Sequence, residues 1–235
     1  MIVGLFASCA KKPFLASSKN ADDAYRECHA LSEGKDYEDS NKCFEILKSR
    51  FGSSHLAYDA DLEIADNYFR KKDYLLAAET YLSFAKLHPT HEKVGYSYYR
   101  IGLSYLRESP KAIDRDQQYL DTAIHYLELA IDQSGPFKEV AREKWREART
   151  RIAKRLFYIG RFYYRTDEYQ SAIPRLQDVV TNYNGLGLDE KALFLLGDSY
   201  VHLSEKEKAL EILSVFEQHF PKSPYRKKLS KKIGV

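Results

Sequence analysis

The strongest constraint on the fold of this chain is a pair of small residues that recurs along it at a regular interval. In four of the five pairs the second residue follows the first by twelve positions, and in the third pair it follows by twenty-one. The pairs are Cys28/Ser40, Ala65/Ala77, Gly102/Ala123, Gly160/Ala172 and Gly197/Ala209. Three of the four intervals between successive pairs are 37 residues, and the interval from the third to the fourth is 58. A long period filled with helical pattern predicts stacked helix pairs rather than a globular enzyme core.

Close packing between helices explains why the recurring residues are small. Two antiparallel helices joined by a short turn approach tightly only where neither carries a large side chain. Aromatic or aliphatic residues recur three positions after the first small residue and four and seven positions after the second, with Ala130 the small exception. Proline ends the second and fifth units, at Pro89 and Pro221, because it cannot continue a helix. The pattern therefore predicts five helix–turn–helix units.

These units resemble the tetratricopeptide repeat. The segments KKDYLLAAETYLSFAKLHP and KEKALEILSVFEQHFP carry its small, aromatic and proline positions, although the period is 37 residues rather than 34. The resemblance implies an all-α fold, an α-solenoid of about five tetratricopeptide-like helix pairs in a right-handed superhelix. An irregular helical bundle with coincidental alanines is the alternative. No run of alternating β-branched residues points to a strand.

The breaks in the pattern divide the chain into three parts. Residues 1–20 are interpreted as a lipoprotein signal remnant and tether, residues 21–221 as the repeat solenoid, and residues 222–235 as a basic tail that is a frayed, solvated helix end. Contact of this tail with anionic lipid or an acidic partner is the alternative. A long charged helix is predicted over residues 137–165 before the fourth repeat. The predicted repeats cover residues 21–56, 58–93, 95–135, 153–184 and 190–221.

The first nine residues, MIVGLFASC, resemble the end of a bacterial lipoprotein signal, in which small residues precede a lipidated cysteine. The apolar stretch is short for a working signal, so we expect a trimmed or wrongly assigned start. Lipidation of Cys9 is the favoured interpretation, and a buried apolar N-terminus with a free thiol is the alternative. By resemblance to the lipoprotein sorting rule, Ala10 after the cysteine implies the bacterial outer membrane, on its periplasmic face.

Cys28 and Cys43 would then lie in an oxidising compartment, on the two helices of the first repeat. Two interpretations stand. The favoured one is a pair of small buried hydrophobic residues, and the other is a disulfide.

Composition and motifs speak against several classes of function. The net charge is +3, with acids and bases interspersed, which is not the strongly basic balance of a nucleic-acid binder. His88 and His91 flank a proline and lack a carboxylate at ligand spacing, so no metal site is predicted. The sequence has no nucleophile elbow and no phosphate loop, and we predict neither catalysis nor a cofactor. A helical-repeat hydrolase with acids clustered in a deep cavity is the enzymatic alternative.

A narrower resemblance rests on two loops and the segments around them. Pro89-Thr90-His91 precedes a tyrosine-rich helix containing Gly102, and Asp114-Arg115-Asp116 precedes a helix containing Ala123. These features are similar to the BamD family, the lipoproteins of outer-membrane β-barrel assembly. The match is partial at Ile152-Ala153 and Phe157, where the family usually has Leu-Ala and Glu.

That resemblance implies a non-catalytic protein that binds the POTRA domains of the barrel-forming subunit and segments of unfolded outer-membrane proteins, beside other assembly lipoproteins. Another periplasmic repeat lipoprotein, linked to pili or cell division, is the alternative. The Asp114-Arg115-Asp116 loop is either a salt-bridged turn or a partner contact. Tetratricopeptide geometry places positions 2, 5, 9 and 12 of each repeat, on its first helix, along an inner groove that is suited to extended peptides. The predicted groove residues are Tyr25, Leu62, Asp66, Phe69, Tyr96, Tyr99 and Leu103.

Overall fold

The computed structural model describes residues 14–235, and helices are the regular secondary structure of that part of the chain. The eleven helices in this range are α1 (Ala21–Glu33), α2 (Tyr37–Arg50), α3 (His55–Arg70), α4 (Tyr74–Leu87), α5 (Val94–Glu108), α6 (Tyr119–Asp132), α7 (Lys138–Arg165), α8 (Tyr169–Thr181), α9 (Asp189–His202), α10 (Lys206–His219) and α11 (Pro224–Ile233). The long helix predicted before the fourth repeat is α7. The all-α fold built from tetratricopeptide-like helix pairs is confirmed.

The same turn joins the two helices in four of the five repeats. A residue with positive φ lies seven positions after the first small residue of the pair, and the next amide donates back to a carbonyl five residues earlier at 2.9 Å. This left-handed residue ends the first helix and satisfies a free carbonyl. The four residues are Lys35, Lys72, Asp167 and Ser204, with φ of 67°, 69°, 61° and 61°. In the third repeat a loop of residues 109–118 takes the place of this turn.

The described chain forms two compact units. Unit 1 contains residues up to Glu108 together with Leu129–Lys138, and unit 2 contains Ser109–Glu128 and Glu139–Val235. Within unit 1, α1 packs against α2, α2 against α3, α3 against α4, and α4 against α5. Within unit 2, α9 packs against α8, α10 and α11. Each unit buries its own apolar core, which the aromatic residues Phe44 and Phe216 help to fill.

The small residues allow the close approach that was predicted from their spacing. Ser40 Oγ donates to the carbonyl of Cys28 at 3.0 Å, so these two helices meet at backbone distance. A Cβ added at Gly160 would lie 2.9 Å from Leu176 Cγ, and one added at Gly197 would lie 2.7 Å from Leu229 Cδ2. Both distances are shorter than van der Waals contact, so the neighbouring side chains already occupy the space that a larger residue would need.

Cys28 and Cys43 form a disulfide with a Cα–Cα distance of 5.3 Å. The favoured interpretation from the sequence, two unlinked buried thiols, is therefore wrong. The physical reason is the contact between α1 and α2, which places both cysteines, fully buried, at bridging distance in the unit 1 core.

The ends of the described chain are packed more closely than expected. Leu15, in the segment interpreted as a tether, is fully buried, and its amide donates to Glu27 Oε1 at 3.0 Å. The segment interpreted as a frayed tail contains α11, whose Leu229 is fully buried against α9 and α10. Gly234 follows Gly197 by one repeat period of 37 residues, so α11 lies in the register of the first helix of a further repeat.

Within residues 14–235, none of the helices combines the length and the apolar composition that a bilayer crossing requires. The predicted lipidation site, Cys9, lies outside the described residues.

Candidate functional site

The candidate site in unit 1 is built around Asp66 on α3. Its Oδ1 accepts hydrogen bonds from the hydroxyl of Tyr96 at 2.6 Å and from that of Tyr81, and it pairs with Arg100 Nη2 at 2.8 Å. Arg100 Nε also donates to Tyr81 Oη at 2.8 Å, and its guanidinium lies 3.9 Å from the centre of the Phe69 ring. The Asp66 cluster, which we define as Asp66, Phe69, Tyr81, Tyr96 and Arg100, therefore links α3, α4 and α5 through polar and cation–π contacts.

The electrostatics of the cluster keep its tyrosines protonated. Burial first, and then the Asp66 carboxylate, raise the pKa of both Tyr81 and Tyr96 well above the ordinary value for a phenol. The phenols therefore remain hydrogen-bond donors at neutral pH. The hydrogen bonds and the ion pair together hold these side chains in one arrangement.

A cavity of about 360 Å³ adjoins the cluster in unit 1. Tyr96 and Phe137 line it, with their ring centroids 4.9 Å apart, and Tyr99 stacks on Phe137 at 5.9 Å. Lys93 and Lys138 also line the cavity. The cavity is apolar over most of its surface and has basic residues beside it, so it is suited to an apolar or aromatic side chain of an extended peptide.

The structure places the seven predicted groove residues in two classes. Tyr25, Asp66, Phe69, Tyr96 and Tyr99 are half-buried, so each offers part of its side chain to solvent. Leu62 and Leu103 are buried, with only 5% and 7% of their surface exposed. They therefore offer almost no surface to a ligand.

Tyr25 belongs to a neighbouring contact on the first repeat rather than to the Asp66 cluster. Its hydroxyl donates to Glu63 Oε1 at 3.1 Å, and its ring meets Phe44 edge-on at 5.4 Å. Burial, together with the Glu63 carboxylate, raises the pKa of Tyr25 far above its usual range. Sequence reasoning missed Tyr81, Arg100 and Phe137 as site residues. The available signal was that Arg100 follows Asp66 by 34 residues, the separation at which side chains of adjoining first helices meet in this chain.

The Asp114-Arg115-Asp116 loop in unit 2 is ordered by α7. Gln117 is buried and its Nε2 donates to the carbonyls of Pro110 and Ala112 at 2.9 and 3.0 Å, while Arg151 Nη2 donates to Gln117 Oε1 at 3.0 Å. Arg155 donates to the carbonyls of Ile113 and Arg115. Except for the bond from Arg151 to Gln117 Oε1, these bonds end on backbone carbonyls of the loop.

The side chains of Asp114, Arg115 and Asp116 are all exposed, and none of them enters an ion pair within the described part of the chain. The loop is therefore not the salt-bridged turn that was one of its two interpretations. It presents three charged side chains from a fixed backbone, as a preorganised contact surface does.

Across residues 14–235, no group of three or more His, Cys, Asp or Glu side chains is placed to hold a metal ion. Residues 17–212 match the YfiO family, which is described as an outer membrane lipoprotein. No curated protein matches the chain.

The chain is also similar to several solved tetratricopeptide proteins. YrrB, a protein with an unusual peptide-binding site, is 18% identical with a TM-score of 0.38, over 90% of this chain and 92% of that one. The TPR2AB domain of yeast Sti1, in complex with an Hsp90 peptide, is 12% identical with a TM-score of 0.43, over 92% and 98%. TTC0263 of Thermus thermophilus is 15% identical with a TM-score of 0.38, over 92% and 100%.

Proposed function

The chain belongs to the YfiO family of outer membrane lipoproteins, and on that premise we propose that it is a periplasm-facing scaffold of the β-barrel assembly machinery. It binds segments of unfolded outer-membrane proteins and the POTRA domains of the barrel-forming subunit. The observation that supports this most is the half-buried aromatic surface of unit 1, which adjoins an apolar cavity and has no catalytic arrangement around it.

Unfolded barrel proteins expose strands in which aromatic and other apolar residues alternate with polar ones. The peptide face, which we define as Phe69, Tyr96, Tyr99 and Phe137, offers aromatic rings to the apolar side chains of such a strand. The ion pair of Asp66 with Arg100 holds Phe69 and Tyr96 in place, so little conformational entropy is lost when a peptide binds. Rigid aromatic residues of this kind supply much of the affinity of peptide-binding surfaces.

The Asp114-Arg115-Asp116 loop is the proposed contact with the POTRA domains. Its backbone is fixed by Arg151 and Arg155, while its charged side chains are exposed. Charged groups held in this way favour a specific orientation of the partner more than they raise affinity.

The proposed location is the periplasmic face of the outer membrane, with a lipid anchor at Cys9. The disulfide between Cys28 and Cys43 supports this location, because disulfides persist in the oxidising periplasm and are rare in the cytosol. A multiply acylated cysteine would hold the protein stably at the membrane surface. The proposed function is non-catalytic binding.

Replacing both Phe69 and Tyr99 with serine is expected to weaken the binding of a barrel-derived strand peptide about tenfold or more. Truncation of a well-packed aromatic contact residue typically costs more than about 1 kcal/mol, and two are removed here. The measurement is the change in fluorescence anisotropy of a labelled peptide, using the full chain with Cys9→Ser to keep it soluble. Circular dichroism is expected to show unchanged helix content.

A control is the pair Leu87→Ser and Leu210→Ser, which removes two exposed apolar side chains that belong neither to the peptide face nor to any other proposed binding surface. This variant is expected to bind the strand peptide as the unmodified protein does. Equal affinity in the Phe69/Tyr99 variant and the unmodified protein would reject the peptide face.

A further inference from the structure

A stripe on the exposed side of α7 carries basic and aromatic residues that the proposed function does not use. Its members are spaced four, three, one and three residues apart, which places them on one side of a helix. We define this α7 stripe as Lys154, Tyr158, Arg161, Phe162 and Arg165. All five are exposed, and Tyr158 and Phe162 are 51% and 56% accessible. A depression of about 370 Å³ lies among Tyr158, Arg161, Phe162 and Arg165.

The repeats elsewhere in the chain show what usually neutralises a charge at the position of Arg161. At three junctions, the residue just after the first small residue of a repeat meets a residue 34 positions later, on the next first helix. His29 Nε2 lies 3.8 Å from Glu63 Oε1, Asp66 Oδ1 lies 2.8 Å from Arg100 Nη2, and Asp198 Oδ2 lies 2.8 Å from Lys232 Nζ. Asp66 and Asp198 at this position therefore each have a cationic partner in the adjoining repeat, and His29 lies beside a carboxylate.

The junction between the fourth and fifth repeats departs from this rule. The residue 34 positions after Arg161 is Leu195, which has no charge to offer. Within residues 14–235, Arg161 and Arg165 enter no ion pair. Two guanidinium groups are thus left in solvent beside two exposed rings.

The opposite side of α7 packs against the core of unit 2. Leu156, Phe157, Tyr163 and Tyr164 pack against that core, and Gly160 lies against α8. The free stripe is therefore narrow, and it runs for about 16 Å at 1.5 Å per residue. A narrow stripe suits a single polypeptide segment, whereas a helix that lies in a lipid surface needs a broad apolar side.

We infer that the α7 stripe is a second docking surface, which binds an acidic segment of a partner protein that also carries apolar side chains. Charge complementarity supports this occupant, because the planar arginine fork matches a carboxylate with two hydrogen bonds. The two rings add apolar contact, and arginine with aromatic residues is the composition typical of binding hot spots. The α7 stripe shares no residue with the peptide face in unit 1.

The test uses the full chain with Cys9→Ser and a fluorescently labelled peptide that contains glutamate and leucine and is long enough to span the α7 stripe. The peptide is expected to bind, and the variant Arg161→Glu with Arg165→Glu is expected to weaken binding about tenfold or more, which corresponds to about 1.4 kcal/mol. The variant Tyr158→Ala with Phe162→Ala is also expected to weaken binding, although it leaves the net charge unchanged. These exposed positions should alter the folding stability little.

The matched control is Lys86→Glu with Lys191→Glu, which makes the same change in net charge at two exposed helical lysines. This control is expected to keep the affinity of the unmodified protein for the peptide. Equal losses in the control and the arginine variant would overturn the inference, because net charge alone would explain them. Absence of peptide binding would also overturn the inference. So would binding to vesicles containing phosphatidylglycerol that depends on Arg161 and Arg165 and that the acidic peptide does not displace.

Discussion

Removal of the disulfide between Cys28 and Cys43 is expected to lower the free energy of unfolding by about 3 kcal/mol. The bridge closes a loop with a sequence separation of 15, and a loop of that length restricts the unfolded chain by about this amount. The comparison is between the full chain with Cys9→Ser and the same chain with Cys28→Ala and Cys43→Ala added. Urea denaturation followed by circular dichroism measures the difference.

A reducing agent provides the control for this prediction. It is expected to lower the stability of the chain that retains Cys28 and Cys43, and to leave that of the double alanine variant unchanged. If both proteins unfold at the same urea concentration without reductant, the bridge does not stabilise the fold. If reductant destabilises the alanine variant equally, the effect does not come from this disulfide.

Replacing Ala172 with leucine is expected to cost about 1–3 kcal/mol of stability in unit 2. Ala172 is fully buried, and Leu176, one turn further along α8, already lies so close to Gly160 that an added Cβ would be 2.9 Å away. Additional carbon atoms at this seam must push α7 and α8 apart or force strained rotamers. Urea denaturation and the cooperativity of the transition measure the effect.

The control places the same larger side chain where there is room for it. Ala30 lies on the exposed side of α1, and Ala30→Leu is expected to change the free energy of unfolding by less than about 0.5 kcal/mol. Leucine and alanine have similar helix propensities, so propensity does not explain a difference between the two variants. Equal stability of the Ala172 and Ala30 variants would contradict the role of small residues at the seam.

The helix pairs could be predicted from the sequence because their cause is local and periodic. Small residues such as Gly160 and Gly197 recur at fixed spacing, and a helix can approach closely only at such residues. The four left-handed turn residues recur in the same register, but they were not predicted. Glycine in a sequence suggests a positive φ, whereas lysine, aspartate and serine do not.

The disulfide and much of the site depend on distances that periodicity does not give. Cys28 and Cys43 lie on facing helices, but only the observed approach of α1 and α2 shows that their Cα atoms are 5.3 Å apart. Phe137 joins Tyr96 and Tyr99 from a segment between helices, where no repeat pattern exists. Leu62 occupies a position expected to face a groove, yet the neighbouring helices bury it.

The sequence also contains a charge pattern whose meaning becomes clear only from the structure. Oppositely charged residues 34 positions apart meet at two junctions, where Asp66 meets Arg100 and Asp198 meets Lys232. The absence of an acid opposite Arg161 is visible in the sequence once this rule is known. The rule itself came from the structure, because the pairs lie on helices that are far apart along the chain.

The most direct test of the proposed function is affinity capture of the lipidated protein from detergent-solubilised outer membrane, followed by mass spectrometry of the co-purified proteins. We predict that a β-barrel protein bearing POTRA domains is the principal partner, and that alanine at Asp114, Arg115 and Asp116 together reduces its recovery. Capture of pilus or cell-division proteins without any POTRA-bearing partner would contradict the proposed function.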